Sequence, residues 1–335
     1  MTDLNLGIVL VSEVLIYPGL MFLVATIIFT QWLWRKIAAR LGFRRGPMKT
    51  GPAGVLQPMA DLLKLLSKEE VRTALSSKRL PALIAPLGIG ALSTVLLTTP
   101  LAPLPIWSPF DSLVVLYLIL WATVSIVILA LSTPNPYTNI GVGRYLAFIV
   151  AAEPPFFISV LVPIILASRY YSDVNYSIYK TSLYSSSLWG LNPLTATLML
   201  LSAFSGFISM MAVMNIKPFD AAEAETEIYW GIFTEFGGPR LALGMFISFA
   251  ERVVLPLIYT FLFLGGSSPF TFTDNYLASL ITTLIKFFVI FSILAIIDTL
   301  MPRFRPDQAV RFLIKYALTT AVIALIASIT LTFIY

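Results

Sequence analysis

DSLVVLYLILWATVSIVILALS, residues 111–132, carries one charged residue, Asp111 at its start, and none after it. At 1.5 Å per residue such a run makes a helix of about 30 Å, the thickness of the hydrocarbon core of a bilayer. Seven further apolar runs can be read at roughly 7–34, 81–99, 145–168, 190–214, 241–264, 277–300 and 311–334, the one at 81–99 being the shortest. Pro, Gly and Ser clusters such as TTPLAPLPIWSP, STPNPYTNIG, SSSLWGLNP and FLGGSSPF punctuate the gaps. Hydrophobic residues make up 58% of the 335, charged residues 12%, and mean hydropathy is +0.88. That composition excludes a soluble fold with one anchor. It predicts an all-α polytopic membrane protein of about eight transmembrane helices, a single integral membrane domain over 1–335. The opening MTDLNLGIVL lacks a basic n-region and a small-residue cleavage site, so the first run is expected to be a retained helix and not a signal peptide.

The basic residues set an orientation. The first, third, fifth and seventh connections hold 11, 1, 2 and 2 Lys or Arg, against 0, 2 and 0 for the second, fourth and sixth. By the positive-inside rule the loops 35–80, 133–144, 215–240 and 301–310 face the cytoplasm, and both termini face out. The net charge of +5 is therefore grouped by membrane side and gives no support for nucleic-acid binding. Within the first loop, VLQPMADLLKLLSKEE (55–70) places Val55, Leu56, Met59, Leu62, Leu63 and Leu66 largely on one side, with Asp61, Lys64 and Lys68 among the others. That pattern predicts an amphipathic helix near 55–68, lying in the membrane interface or covering a partner. Trp32, Trp34 and Arg35 before it fit an interfacial belt.

Cys and His are both absent. Without thiolates the chain supplies no ligands for an Fe–S cluster, a nickel–thiolate site or structural zinc, and without imidazole no haem ligand or histidine proton relay. Redox chemistry would belong to partner chains, and proton handling falls to Asp, Glu, Lys, Arg, Tyr and water.

PFDAAEAETEIYWGIFTEFGG (218–238) concentrates Asp220, Glu223, Glu225, Glu227 and Glu235 in one loop of a chain with only 17 acids. On a helix Asp220, Glu223 and Glu227 would share one face and Glu225 would point away. Carboxyls so placed repel and raise one another's proton affinity, which suits proton exchange near neutral pH. A solvated acidic loop is the plain alternative. Within the apolar runs stand Glu13, Glu153, Glu251, Arg252 and Lys286. Glu251 is expected near the midplane, about 15 Å into its span. Glu13 and Lys286 are equally open to a static ion pair or snorkelling. Arg252 is a candidate to neutralise Glu251, although adjacent helical residues do not face each other. Glu153 precedes Pro154 and Pro155, which predicts a helix start or break there and a hydrated pocket, with Arg144 as its counter-charge. The seven carboxyls Asp220, Glu223, Glu225, Glu227, Glu235, Glu153 and Glu251 make a candidate polar file from the loop to the bilayer centre.

Four blocks, RGPMKTGPAGVLQPMADLLKLLSKE (45–69), KPFDAAEAETEIYWGIFTEFGG (217–238), FAERVVLPLIYTFLFLGG (249–266) and MPRFRPDQ (301–308), together resemble one family. It is the NuoH-type membrane subunit that joins the peripheral and membrane arms of respiratory complex I, with its homologue in group 4 [NiFe] hydrogenases and related ferredoxin-linked complexes. The resemblance implies that Asp220, Glu223, Glu225, Glu227 and Glu235 form the family's acidic coupling loop. It likewise implies that Glu153 is its intramembrane glutamate and Arg144 its upstream arginine. Arg303, Arg305 and Asp307 match the motif near the peripheral arm, and Gly46, Pro47, Gly51, Pro52, Gln57 and Asp61 the first-loop motif beside the cavity at headgroup level. The implied partners are a hydrophilic large subunit and an Fe–S small subunit on the cytoplasmic loops, with antiporter-like and small membrane subunits in the bilayer. Fe–S clusters, and a [NiFe] centre in the hydrogenase branch, would sit in those partners, and a quinone enters in the complex I alternative.

Departures bear on the branch. Complex I members usually carry Ser-Tyr where this chain has Ala151-Ala152, and NPYTNIGVGR (135–144) and EFGGPRLAL (235–243) look closer to the hydrogenase side. There a glutamate often follows the arginine matching Arg144, whereas here Tyr145 does. The resemblance thus favours the membrane-bound hydrogenase-related branch and, with it, a prokaryotic plasma membrane. H⁺ and Na⁺ both remain open as the moved ion. A stand-alone secondary transporter is the competing reading, but no two related halves with paired broken helices are visible. A passive membrane anchor would explain the loops and not Glu153 or Glu251.

Overall fold

The computed structural model describes residues 3–334 apart from 72, 74, 75, 224 and 273, and the side chains of 3–6, 8, 225, 226, 333 and 334 lie outside the description. Among the described residues the ordered elements are helical, and eight crossings are long and apolar enough for a bilayer. The first (Val9–Leu41) is not one helix: α1 (Asp3–Leu15) and α2 (Leu20–Leu41) meet at Tyr17-Pro18-Gly19, where proline has no amide to continue the ladder. The others are α4 (Arg79–Leu97), α5 (Asp111–Leu131), α6 (Pro136–Tyr170), α8 (Pro193–Val213), α10 (Gly238–Phe263), α11 (Tyr276–Leu300) and the last crossing, Pro306–Thr332. That last crossing comprises α12 (Pro306–Phe312), a π-helical turn at Leu313–Leu318 and α13 (Thr319–Ile334). A π turn shifts a carbonyl out of register, and Ser205 Oγ on α8 donates to Ala317 O at 2.7 Å.

Between the first two crossings lies α3 (Gln57–Ser67), too short at 11 residues to span. Its apolar residues divide: Pro58, Leu62 and Leu65 turn toward the bundle, while Met59, Leu63 and Leu66 are exposed. A further helix, α7 (Ile178–Leu191), is not foreseen from the sequence, where its serine-rich run reads as a loop. Its serines close their bonds inside: Ser185 Oγ donates to Phe261 O at 2.8 Å, and Trp189 Nε1 to Phe263 O at 2.9 Å. These are carbonyls of the last turn of α10, which have no partner within the helix. Lys286 Nζ serves the same end, donating at 2.8 Å to both Leu264 O and Ser268 O, so this lysine closes off backbone and does not snorkel to a headgroup.

The two most enclosed crossings are α6 and α10, each 67% buried over its most apolar stretch, against 28% for the last crossing. Helices in lipid gain no hydrophobic drive from meeting one another and rely on close packing of small residues. On α8, a Cβ at Gly206 would stand 2.8 Å from Ser159 Oγ of α6, so glycine sets that approach. α6 begins at Pro136, with Asn135 Oδ1 accepting from Tyr137 N at 2.8 Å as N-cap. It then runs through Pro154, Pro155 and Pro163 without interruption. The expected start or break at Glu153 is therefore absent. Each proline frees one carbonyl four residues back, which a packed transmembrane helix tolerates, whereas a break would strand many more backbone groups in lipid.

The first, third, fifth and seventh connections are knitted into one layer, hereafter the basic face. Arg240 Nη2 and Nη1 donate to Ser77 O at 2.8 Å and Ser76 Oγ at 2.6 Å, and its Nε pairs with Glu70. Ser77 N donates to Ser132 O at 3.0 Å, and Phe304 N to Pro218 O at 2.9 Å.

Candidate functional site

The acidic loop is not a helix over its length. Only Glu225–Ile228 forms a helical turn, followed by a 3-10 turn at Gly231–Phe233. The expected common face of Asp220, Glu223 and Glu227 is thus replaced by three separate engagements. Asp220 Oδ2 accepts from Arg303 Nη2 at 2.6 Å; burial pushes its carboxyl up, against the pull of that arginine. Glu227 Oε2 accepts from Arg144 Nη1 at 2.6 Å at the exposed rim. Glu223 is partly buried, and that burial pushes its carboxyl up to about 7, with Arg252 and Arg303 opposing and Asp220 and Asp298 adding to the effect. Glu235 accepts from Asn135 Nδ2, and the Glu225 side chain lies outside the described residues.

The loop reaches α6 through a contact between two glycines. A Cβ at Gly141 would lie 2.8 Å from the backbone of Gly231, whose own φ of +50° is a left-handed conformation suited to glycine. Arg144, one turn further along α6, donates to Ala221 O at 3.4 Å besides pairing with Glu227, so it is not the counter-charge of Glu153. Glu153 lies nine residues on, on the opposite side of an unbroken helix. Its partner is instead the hydroxyl of Thr123 on α5, which donates to Glu153 Oε1 at 2.6 Å.

Glu251 occupies the middle of α10 and is 2% exposed. It stands within electrostatic reach of Glu153, Glu223 and Arg252, while its Oε1 has no hydrogen-bond partner among the described residues. Arg252 points elsewhere, its guanidinium 5.6 Å from the Trp34 ring on α2 and 5.9 Å from Phe249. A buried carboxyl oxygen left without a partner is costly, and in a membrane interior it marks a functional position. Glu13 accepts from Leu104 N at 2.7 Å through Oε1, while its Oε2, like Glu251 Oε1, has no hydrogen-bond partner among the described residues.

Around the first loop, Arg35 Nη1 pairs with Asp61 Oδ2 at 2.5 Å, Gln57 Nε2 donates to Asp61 Oδ1 at 2.9 Å, and Thr50 Oγ1 donates to Gln57 Oε1 at 2.5 Å. Burial pushes the Asp61 carboxyl up, but the hydrogen bonds from Arg35 and Gln57 prevail and hold it below the usual carboxylate range. Arg35 therefore belongs to the site and not to an interfacial belt alone. The pair closes one end of a small apolar cleft of about 50 Å³ between α2, α3 and α10, walled by Ile27, Gln31, Leu62, Leu65, Met245 and Phe249. Gly46, Pro47, Gly51 and Pro52 form the turn beneath it, pinned by Trp32 Nε1 donating to Ala53 O at 3.0 Å. Arg305 and Asp307 are exposed at the start of α12.

A family model described as NADH dehydrogenase matches residues 14–329. The chain belongs to that family. Among its curated relatives, the H subunit of NADH-quinone oxidoreductase from Cupriavidus pinatubonensis is 32% identical over 322 residues, 90% of this chain and 86% of the relative. The corresponding protein of Thermomicrobium roseum is 31% identical over 336 residues, 94% of each. Among solved structures, a chain of the membrane-bound sulfane sulfur reductase, an archaeal respiratory membrane complex, superposes with a TM-score of 0.79 at 26% identity, covering 96% of this chain and 99% of that one. This member of the NADH dehydrogenase family is thus a NuoH-like, multi-pass membrane subunit of a complex-I-like enzyme, and its bacterial relatives point to a plasma membrane. Thr123 on α5, which donates to Glu153, and Asp298 on α11, which acts on Asp220 and Glu223, carry no motif of their own; only a neighbouring helix places them beside the carboxyls.

Proposed function

We propose that this chain is the membrane coupling subunit at the junction of the peripheral and membrane arms. It answers electron transfer in docked partners by moving protons through Glu223 toward Glu153 and Glu251. The convergence of those three carboxyls from a loop and two separate helices carries the reading. The carboxyl of Glu223 sits near its midpoint at neutral pH, so a modest change in local field alters its proton occupancy; one pKa unit corresponds to about 1.4 kcal/mol. The large and Fe–S small subunits dock on the basic face, taken as cytoplasmic from its 16 Lys and Arg against 2 on the other loops. Fe–S clusters belong to those partners. The hydrogenase-related, ferredoxin-linked branch is favoured by NPYTNIGVGR and EFGGPRLAL.

Glu223→Gln and Glu227→Gln should leave the complex assembled and reduce ion translocation per electron at least tenfold. Wild-type coupling in both variants would overturn these roles. A second reading, in which a quinone meets this subunit, is supported by the curated relatives named as subunits of NADH-quinone oxidoreductase. Bound nickel in the co-purified large subunit separates the branches: its presence supports the hydrogenase-like complex, whereas its absence together with bound quinone supports the second reading.

A further inference from the structure

Thr123 stands near the middle of α5 and is fully buried, and Glu153 stands midway along α6 and is 4% exposed. The threonine oxygen meets two acceptors at once. Glu153 Oε1 lies 2.6 Å from Thr123 Oγ1, and Leu120 O, one turn back on α5, lies 2.8 Å from it. A hydroxyl has one proton to donate and two lone pairs that accept, so it serves only one of these acceptors at a time. Bonding back to a carbonyl of the same helix is ordinary for hydroxyls in the spans. Among the described residues Thr26, Ser93 and Ser202 do only that. Thr123 differs in having a carboxyl as its alternative. A buried carboxyl that gains and loses a proton needs a donor beside it when ionised and an acceptor when protonated, since an unpaired polar atom is costly in either state. A lysine or arginine would supply only the first, and a backbone carbonyl only the second. A hydroxyl with a spare carbonyl behind it supplies both.

We propose that Thr123 is a positioning residue for proton exchange at Glu153, its hydroxyl turning between Glu153 and Leu120 O as that carboxyl loses and gains a proton. With Glu153 ionised, the threonine O–H donates to Oε1. With Glu153 protonated, the carboxyl O–H donates to Oγ1 and the threonine O–H turns to Leu120 O. Thr123 keeps its own proton throughout, Glu153 gains or loses one, and only the hydroxyl hydrogen has to swing. The surroundings leave this pair to set the exchange. Of the helices packed on α6, α8 and α13 carry no ionisable side chain. The ionisable residues of α5, Asp111 and Tyr117, lie toward its start, and α7 holds Tyr179, Lys180 and Tyr184, with Lys180 paired to Asp173. Asp307, Arg311, Lys315 and Tyr316 of the last crossing are exposed. On α6 itself Arg144 is held at the rim by Glu227, and Tyr145 lies two turns before Glu153. From α10, Glu251 acts on Glu153 through space, while Arg252 is turned to Trp34.

The inference rests on the coupling role proposed above, and the experiment separates the two. Thr123→Val keeps the shape and loses the hydroxyl, Thr123→Ser keeps the hydroxyl, and Glu153→Gln removes the ionisable group. Each is introduced into the intact complex, as is the Thr123→Val and Glu153→Gln pair, with partners checked by co-purification. Proton uptake per electron is then followed as a function of pH with a pH-sensitive dye in membrane vesicles. The expected result is an assembled Thr123→Val complex whose uptake at neutral pH falls about tenfold and recovers about one pH unit higher, the effect of losing one hydrogen bond to a carboxylate. Thr123→Ser should keep the wild-type profile. In the Glu153→Gln background, Thr123→Val should lower neither the remaining uptake nor electron turnover, because a residue that acts through Glu153 has nothing left to act on. A wild-type pH profile in Thr123→Val, equal losses in the Val and Ser variants, a further loss in the pair, or failure of Thr123→Val to assemble would each overturn the role of Thr123. Wild-type uptake in Glu153→Gln would instead overturn the coupling role itself.

Discussion

Glu223 is pulled in two directions: Arg252 and Arg303 favour its charged form, Asp220 and Asp298 disfavour it, and burial decides, pushing the carboxyl up to about 7 from an ordinary 4.5. Between those two values the folded protein holds a proton that the unfolded chain has released, so stability falls as pH rises through this window and levels off above it. The expected outcome is that the thermal midpoint of the purified complex drops by a few degrees more for wild type than for Glu223→Gln between pH 5 and pH 7.5, since glutamine cannot ionise. Parallel curves for the two proteins would mean that Glu223 is solvated and ordinary. The residue scale is also where sequence reading went astray most clearly. Arg144 and Glu153 are near in sequence, but nine residues on an unbroken helix put them on opposite sides, and the cross-chain partners Glu227 and Thr123 carry no periodic signal.

At the scale of elements, the apolar runs were legible because each must satisfy its backbone inside the bilayer, and period and length alone reveal that. The amphipathic helix α3 was legible for a similar reason. Less legible were α7, whose serines look like a loop until the α10 carbonyls they bond are seen, and the acidic loop, where charge pairing prevails over helical propensity. The join of that loop to α6 can be tested at Gly141, since backbone of Gly231 cannot give way as a flexible side chain would. Gly141→Ala should destabilise the fold by about 1–3 kcal/mol and increase protease cleavage within 218–238. Gly143→Ala, where a Cβ would meet nothing within 4 Å, serves as the control and should be neutral or slightly stabilising. Equal cleavage in the two variants would show that the loop is not held by this contact.

Across the whole molecule, polar load and burial coincide: Glu153 and Glu251 stand on α6 and α10, the two most enclosed crossings, while the first, seventh and last crossings leave the most surface for lipid or neighbouring subunits. Eight crossings return the chain to its starting side, and 16 of the 18 loop Lys and Arg lie on the opposite one. If that asymmetry sets orientation, the basic face is cytoplasmic and the termini are outside. The absence of cysteine makes the question clean, because a single introduced thiol is the only target for a maleimide on this chain. Asp274 in the sixth connection and Lys49 in the first are both exposed. Asp274→Cys should react with a membrane-impermeant maleimide in intact cells, and Lys49→Cys only after the membrane is opened. The reverse pattern would place the acidic loop outside, beyond reach of cytoplasmic electron carriers, and with it the coupling role would fall.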